Sequence, residues 1–436
     1  MERFKERLLG AKKVSVWGVG YLGYTKLLRL QSRGFSASVF DFTKIGLSEK
    51  IKKGKYPDKE QVYSWSIHGN ALALDYSKIK LLAEPSGMFD NSVHILAFPA
   101  VNREGDNYLK QLVKVFIKHK NKLEGSLVIF QSAGMPGMCD RDFILPLKKS
   151  GCRCNFVCAF RSDWHVEEFL KPERQRVIAA DSKDSLGKAS FFYNALGSKI
   201  KALPTIKIAE LYENAKNALQ YVNTMFINQL AFAYADTNIR QMINYLLEDV
   251  ELNKSRLSVG AGGCKIPLSV ENILQGSKSP RFLSLIKESQ DSNMSMIFMY
   301  AEKIKQVGCK SVTLMGISVR GNQKDTDLSP SVVIAEYLNN LGIKVYIDDP
   351  LYDKAAITRL LPDCKRVDIL KDGLKSEALL LMTDHDKYKY FSQQDIDSLG
   401  IRDARIIIDN VGIFKDFSFS SRTKYHLVGD GSLGSF

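Results

Sequence analysis

Between residues 13 and about 205, short runs of β-branched and aromatic residues alternate with amphipathic stretches. Val14–Trp17, Ala37–Phe40, Val93–Phe98, Leu127–Phe130 and Asn155–Phe160 read as strands, while Tyr108–Lys118 repeats apolar residues at helical spacing. Strands separated by helices imply a mostly parallel sheet, because a parallel partner is reached only through a crossover. From 206 to about 250 the period changes. Ile208–Ala231 contains neither Gly nor Pro and repeats apolar residues every three or four positions, which predicts one long uninterrupted helix. More helix is expected to about 304, broken by Gly260, Gly262 and Gly263. The β–α alternation returns from about 310, with strands at Ser311–Ile317, Lys344–Ile347, Glu377–Met382 and Arg405–Ile408 and a helix at Ser331–Leu341. The pattern predicts an α/β chain of two doubly wound parallel-sheet domains joined by a long central helix, parsed as residues 1–205, 206–304 and 305–436.

Composition bounds this picture without altering it. The chain has 436 residues, 45% hydrophobic and 25% charged, enough for two to four domains at roughly 100–200 residues each. Its formal charge of +14 comes from 62 Lys+Arg against 48 Asp+Glu. The excess is spread along helical stretches such as Lys110–Lys122, with a local cluster at Lys50–Lys59, and lacks the aromatic interleaving of a nucleic-acid surface. It suits attraction of an anionic small molecule. No run approaches the roughly 20 apolar residues of a membrane span, and Met1–Arg7 has no apolar signal core, so a cytoplasmic protein without a membrane partner is expected. Seven cysteines, an odd number, point to reduced thiols. Cys152, Cys154 and Cys158 read as one face of a strand rather than a metal site, and no metal is expected.

The sharpest local signal is Val14-Ser-Val-Trp-Gly18-Val19-Gly20-Tyr21-Leu22-Gly23, a β-run emptying into Gly-x-Gly-x-x-Gly. The first glycine permits a tight turn, the second lets the backbone approach a pyrophosphate, and the third allows helix to pack on strand. Asp41 closes the next strand, where a carboxylate accepts ribose hydroxyls and disfavours a 2′-phosphate. Strand, glycines, helix, second strand and acid in that order predict a Rossmann-like site for a dinucleotide, NAD in preference to NADP.

With these residues in view, the chain resembles the UDP-glucose/GDP-mannose dehydrogenase family of nucleotide-sugar 6-dehydrogenases over nearly its whole length. Gln131-Ser132-Ala133-Gly134-Met135-Pro136-Gly137 is similar to the family's Ser-Thr-x-x-Pro-Gly turn, which places Ser132 beside the cofactor. Ala209-Glu210, Asn217 and Asn228 share the spacing of the family's central helix. Gly260-Ala-Gly262-Gly263 with Pro267 resembles its active-site glycine loop. Leu314–Arg320, Asp325, Ser329-Pro330, Asp349-Pro350 and Thr383-Asp384-His385 resemble its nucleotide-sugar-binding third domain. The resemblance implies an NAD-dependent oxidoreductase acting on a nucleotide- or phosphate-linked sugar alcohol in surface-polysaccharide synthesis, and a homodimer built on the central helix.

The resemblance also exposes substitutions. Its register sets Glu213 where the family has a lysine, Lys265 at the nucleophilic cysteine, Ser269 at an aspartate, Ala133 at a threonine, and Asp163 and Glu167 at the assisting glutamates. In the third domain Arg320 stands for the usual lysine and Asp327 for the usual arginine. A thiohemiacetal cannot form on a lysine, so the covalent intermediate of a double oxidation is lost. Lys265 instead suits general-base work in a single, two-electron oxidation, with Glu213, Asp163 or Glu167 orienting it and Asn217 completing the set. A competing register presents Cys264 as the nucleophile. His165 is a further candidate for proton transfer, and Arg256, Gly262 and Arg320 are candidates for gripping the substrate. The alternative of another class is a catalytically inactive NAD-binding homologue with a regulatory or scaffolding role.

Overall fold

The structure is a computed structural model describing residues 1–41, 66, 74–98, 108–131, 134–160, 175–249, 257–263 and 265–435. They fall into two compact units, one built from residues up to 215 together with 275–278, the other from 216–274 and 279 onward.

The first unit carries an eight-stranded sheet: β1 (Lys13–Trp17), β2 (Ser36–Phe40), β3 (Ile79–Leu81), β4 (Val93–Leu96), β5 (Leu127–Phe130), β6 (Asn155–Cys158), β7 (Arg176–Ala180) and β8 (Ile200–Leu203). Their order is β3-β2-β1-β4-β5-β6-β7-β8, and pairing is parallel except between β6 and β7. Strands β4, β5 and β6 are buried throughout, as expected for a sheet covered on both faces. Alternate residues feed two cores. Val14 and Val16 join one with Tyr24, Leu27 and Phe192; Trp17 joins the other, its ring packed on Phe40, Phe89 and Phe116.

The second unit repeats the plan. Strands β9 (Ser311–Met315), β10 (Lys344–Asp348), β11 (Lys365–Arg366), β12 (Ala378–Leu381), β13 (Ile406–Asp409) and β14 (Lys424–Leu427) are ordered β11-β10-β9-β12-β13-β14, all parallel. Counted within the unit this is 3-2-1-4-5-6, the doubly wound order, with the switch point between β9 and β12. Both sheets are therefore of the predicted class.

Two local expectations need correction. The helix that starts at Ile206 ends at Ala233, and a new one spans Ile239–Asp249. The break falls at Tyr234-Ala-Asp-Thr-Asn238, where short polar side chains compete with the helical ladder. The Asn238 carboxamide oxygen accepts the Gln241 N–H at 3.0 Å and caps the second helix. The cysteine strand is also shorter than expected. It begins at Asn155, so Cys152 and Cys154 precede it, with their sulfurs 3.5 Å apart. Among the described residues no helix is long and apolar enough to cross a membrane.

Candidate functional site

In the first unit the glycine loop takes the conformation its spacing requires. Gly18 follows β1 with φ +91°, and its N–H donates to the Phe40 carbonyl at 2.9 Å. A Cβ there would sit 2.9 Å from the Ala97 carbonyl oxygen, so both backbone angle and space demand glycine. Gly23 lies in the first turn of the helix Tyr21–Ser32, and a Cβ on it would collide with the Gly18 carbonyl. Gly20 differs: it caps that helix, and nothing lies within 4 Å of where its Cβ would be. The middle glycine thus faces open space at a helix N-terminus, whose first N–H groups have no intrahelical acceptor and suit a phosphate. Val19 is buried, while Tyr21 and Leu22 pack partly against the core. Asp41, just past β2, accepts the Val19 N–H on Oδ2 at 2.8 Å. Its carboxylate is thereby fixed at the mouth of the loop.

The turn after β5 is held from the helix Ile206–Ala233. Glu210 accepts the N–H of Gly137 at 2.6 Å and of Cys139 at 3.0 Å, and the Asn214 amide donates to the Gly134 carbonyl at 3.0 Å. Burial pushes the Glu210 carboxyl upward against these bonds, which favour its charged form. The Ala209-Glu210 motif therefore anchors the Pro136-Gly137 turn, a role its spacing alone does not reveal. Gln131, between β5 and this turn, is buried, and it was not singled out from the sequence.

In the second unit, Asn217 and Ser269 meet as the register implies. The Asn217 amide donates to the Ser269 hydroxyl at 3.0 Å, and that hydroxyl donates to the Lys265 carbonyl at 2.8 Å. Lys265 is half-buried and immediately precedes the helix Ile266–Gly276, and the Ser269 N–H donates to its carbonyl as the first helical bond. Glu213 lies one helical turn before Asn217, and both are buried.

The second glycine loop is clamped by amides and backbone. Asn228 accepts the Ser258 N–H at 3.0 Å, Asn410 accepts that of Val259 at 2.8 Å, and Asn293 accepts that of Ala261 at 2.7 Å. Gly263, with φ +96°, donates its N–H to the Asp327 carbonyl at 2.9 Å. A Cβ on Gly262 would lie 2.5 Å from the Leu328 carbonyl and 2.6 Å from Pro330 Cδ. Glycine at 262 lets the Leu328–Pro330 segment pass close against the loop. Leu328 itself has φ +49°, a conformation costly for a branched side chain.

At the carboxyl ends of the second sheet the motif residues bind one another. Asp349 Oδ2, past β10, accepts the Ile317 N–H at 2.9 Å and lies 3.2 Å from His385 Nε2; both side chains are fully buried. The Asn322 N–H donates to His385 Nδ1 at 3.0 Å, so the ring proton sits on Nε2 and points at Asp349. Thr383 donates to the Ser318 carbonyl at 2.7 Å, and Asp384 accepts the Gly321 N–H at 3.0 Å. Ser329 caps the helix Pro330–Asn340 through the Ser331 N–H, with Pro330 at its first position. Arg320 is half-exposed within the strapped segment between Gly316 and Gly321, beside the switch point where such sheets receive ligands. Ser132, Asp163, His165, Glu167, Arg256 and Cys264 lie outside the described residues. Among the described residues no group of three or more His, Cys, Asp or Glu side chains could hold a metal ion.

Residues 313–416 match the family model of the UDP-glucose/GDP-mannose dehydrogenase family, UDP binding domain. The whole chain is similar to the UDP-N-acetyl-D-mannosamine dehydrogenase of Methanocaldococcus jannaschii, 25% identical over 438 residues and covering 96% of this chain and 97% of that one. Among solved structures it resembles a UDP-glucose dehydrogenase from Pyrobaculum islandicum (TM-score 0.80, 17% identity, 96% of this chain and 97% of that one). It also resembles the UDP-D-ManNAc dehydrogenase of Pyrococcus horikoshii (TM-score 0.75, 19% identity, 96% of this chain and all of that one). The resemblance drawn from the motifs is borne out: the sequence relationship runs nearly end to end, the fold is that of nucleotide-sugar dehydrogenases, and residues 313–416 match the family model in their own right.

Proposed function

We propose that this chain is an NAD-dependent dehydrogenase that oxidises a sugar hydroxyl of a nucleotide-linked sugar, a UDP-linked N-acetylamino sugar being the first choice from its relatives. The observation that carries this reading is the first glycine loop: two glycines forced by collision, a third open to solvent, and Asp41 locked at the mouth. These residues fit NAD. The N-terminal N–H groups of the helix Tyr21–Ser32 would take the pyrophosphate, Asp41 the adenosine ribose hydroxyls, and Ser132 the turn beside the ring. When bound, NAD supplies the hydride acceptor.

The rest of the chemistry falls to side chains of this chain. Lys265, immediately before the helix Ile266–Gly276, would take the hydroxyl proton on Nζ. Asn217, acting through Ser269, would hold the Lys265 backbone in place. Glu213, Asp163 and Glu167 are proposed as the carboxylates that orient the lysine. Arg320, with its planar fork of donors, and Arg256 would hold the diphosphate, and Gly262 shapes the loop that receives the sugar. With lysine at the nucleophile position, oxidation stops after one hydride, at a carbonyl. Cys264 is the competing nucleophile.

A homodimer is proposed along the helix Ile206–Ala233. Leu211, Leu219 and Phe226 are exposed on it, whereas Ala218, Tyr221 and Met225 face the core. A row of solvent-facing apolar residues on one long helix suits a second copy.

Incubation of the purified chain with NAD and a panel of UDP-sugars, following NADH absorbance and product mass, tests the proposal. One NADH per sugar with a carbonyl product is expected. Two NADH and an acid would overturn the single oxidation, and NAD binding without turnover on any sugar would favour the non-catalytic reading.

A further inference from the structure

A buried polar side chain stands just past strand β5. Four apolar residues, Leu127 to Phe130, lead into Gln131, whose N–H continues the ladder by donating to the Leu96 carbonyl at 3.1 Å. Strand alternation therefore runs on. Leu127 and Ile129 belong to the core that holds Val14, Val16 and Ala97, and Val128 and Phe130 to the opposite one, so Gln131 falls on the Leu127–Ile129 face. The residue is only 2% exposed, and among the described residues neither Oε1 nor Nε2 has a hydrogen-bond partner. Burying both ends of an amide unsatisfied is strongly unfavourable, and native proteins keep such a group where a ligand or water completes it.

Its place in the sheet indicates which ligand. β5 pairs with β4, and the residue after β4, Ala97, lies against the first glycine loop: a Cβ on Gly23 would be 3.6 Å from the Ala97 side chain. Gln131 thus stands at the carboxyl end of the next strand outward, the edge along which doubly wound sheets lay out a dinucleotide. We propose that Gln131 receives the carboxamide of the nicotinamide ring. A glutamine amide presents one carbonyl and one NH2 in a plane, and the nicotinamide carboxamide presents the same pair. Laid head to tail, each NH2 donates to the other's carbonyl, and both orphaned atoms are satisfied. A phosphate or carboxylate would satisfy Nε2 and leave Oε1 stranded. The inference rests on the dinucleotide reading of the glycine loop and adds to it a residue and the half of the cofactor that residue reads.

The test compares NAD with ADP-ribose, which keeps the diphosphate and both riboses but lacks nicotinamide. Calorimetric titrations and thermal melts use the full chain, wild type, Gln131→Leu and Gln131→Met. The wild type is expected to bind NAD roughly tenfold more tightly than ADP-ribose, and both variants to lose that tenfold while holding ADP-ribose within about twofold. Without ligand the variants should melt higher than wild type, because a stranded amide has been replaced by an apolar group of similar size. Variants that bind NAD as tightly as wild type, or that lose both ligands equally, overturn the assignment. If wild type binds both ligands equally, Gln131 is not a nicotinamide contact although the dinucleotide site stands. If it binds neither, the reading of the glycine loop fails and this assignment fails with it. Should the leucine variant fail to fold, the unbranched methionine variant decides.

Discussion

The two glycine loops reward comparison. In the first, Gly18 to Gly23, the backbone is the working part, and the residues that give it shape are also those that would touch a ligand. In the second, Gly260 to Gly263, shape is set by Asn228, Asn293, Asn410 and the Asp327–Pro330 segment, while chemistry would be carried by the side chains that follow. A loop that works through its backbone can change little without losing its fold. A loop that works through side chains can keep its fold while the side chains proposed to do the chemistry, Lys265 and Ser269, are exchanged. Divergence is therefore expected in the second loop and not in the first.

The sharpest way to break the comparison is Gly23→Ala. Because the new Cβ meets the Gly18 carbonyl, helix and strand must part; NAD affinity should fall more than about 100-fold, with roughly 1–3 kcal/mol lost in stability. Normal titration by this variant would show that the loop's tight geometry is not what binds. Next comes the identity of the reactive side chain. Lys265→Met should lower kcat by about 10²- to 10⁴-fold without altering NAD affinity, whereas Cys264→Ser should leave kcat within about twofold. The reverse pattern would restore the thiol as nucleophile. His385→Phe addresses the scaffold of the second unit alone. It leaves the Asn322 N–H and one face of the buried Asp349 unsatisfied, so urea denaturation should show a loss of about 3 kcal/mol. The mildest change, Ser269→Ala, unties Asn217 from the Lys265 carbonyl. About 1 kcal/mol of stability and less than tenfold in kcat, with KM unchanged, are the expected losses.

What could be read from the sequence follows the range of the interactions involved. The sheets were legible because strand and helix periods are local, and the first glycine loop because its glycines answer to neighbours in one βαβ unit. The Asn217–Ser269 meeting was legible only through the resemblance, which aligned the helix with a loop about fifty residues away. The break at Tyr234–Asn238 was missed because it carries neither Gly nor Pro and relies on an Asn cap. The Asp349–His385 pair joins the ends of β10 and β12, two strands that flank β9, a neighbourhood only the folded topology supplies. The close pass of the Leu328–Pro330 segment against Gly262 was not legible, because the two lie more than sixty residues apart. Gln131 did leave a local trace, a polar residue closing four apolar ones in a strand, which periodicity alone treats as a simple end.

The three asparagines that hold the second loop have a consequence for how such a chain can evolve. Each grips a main-chain N–H, so its contribution does not depend on which side chain that residue bears. The loop behaves as a socket whose shape survives a change of tool. A lineage with this device can sample new side chains at Lys265 and Ser269 without first unfolding.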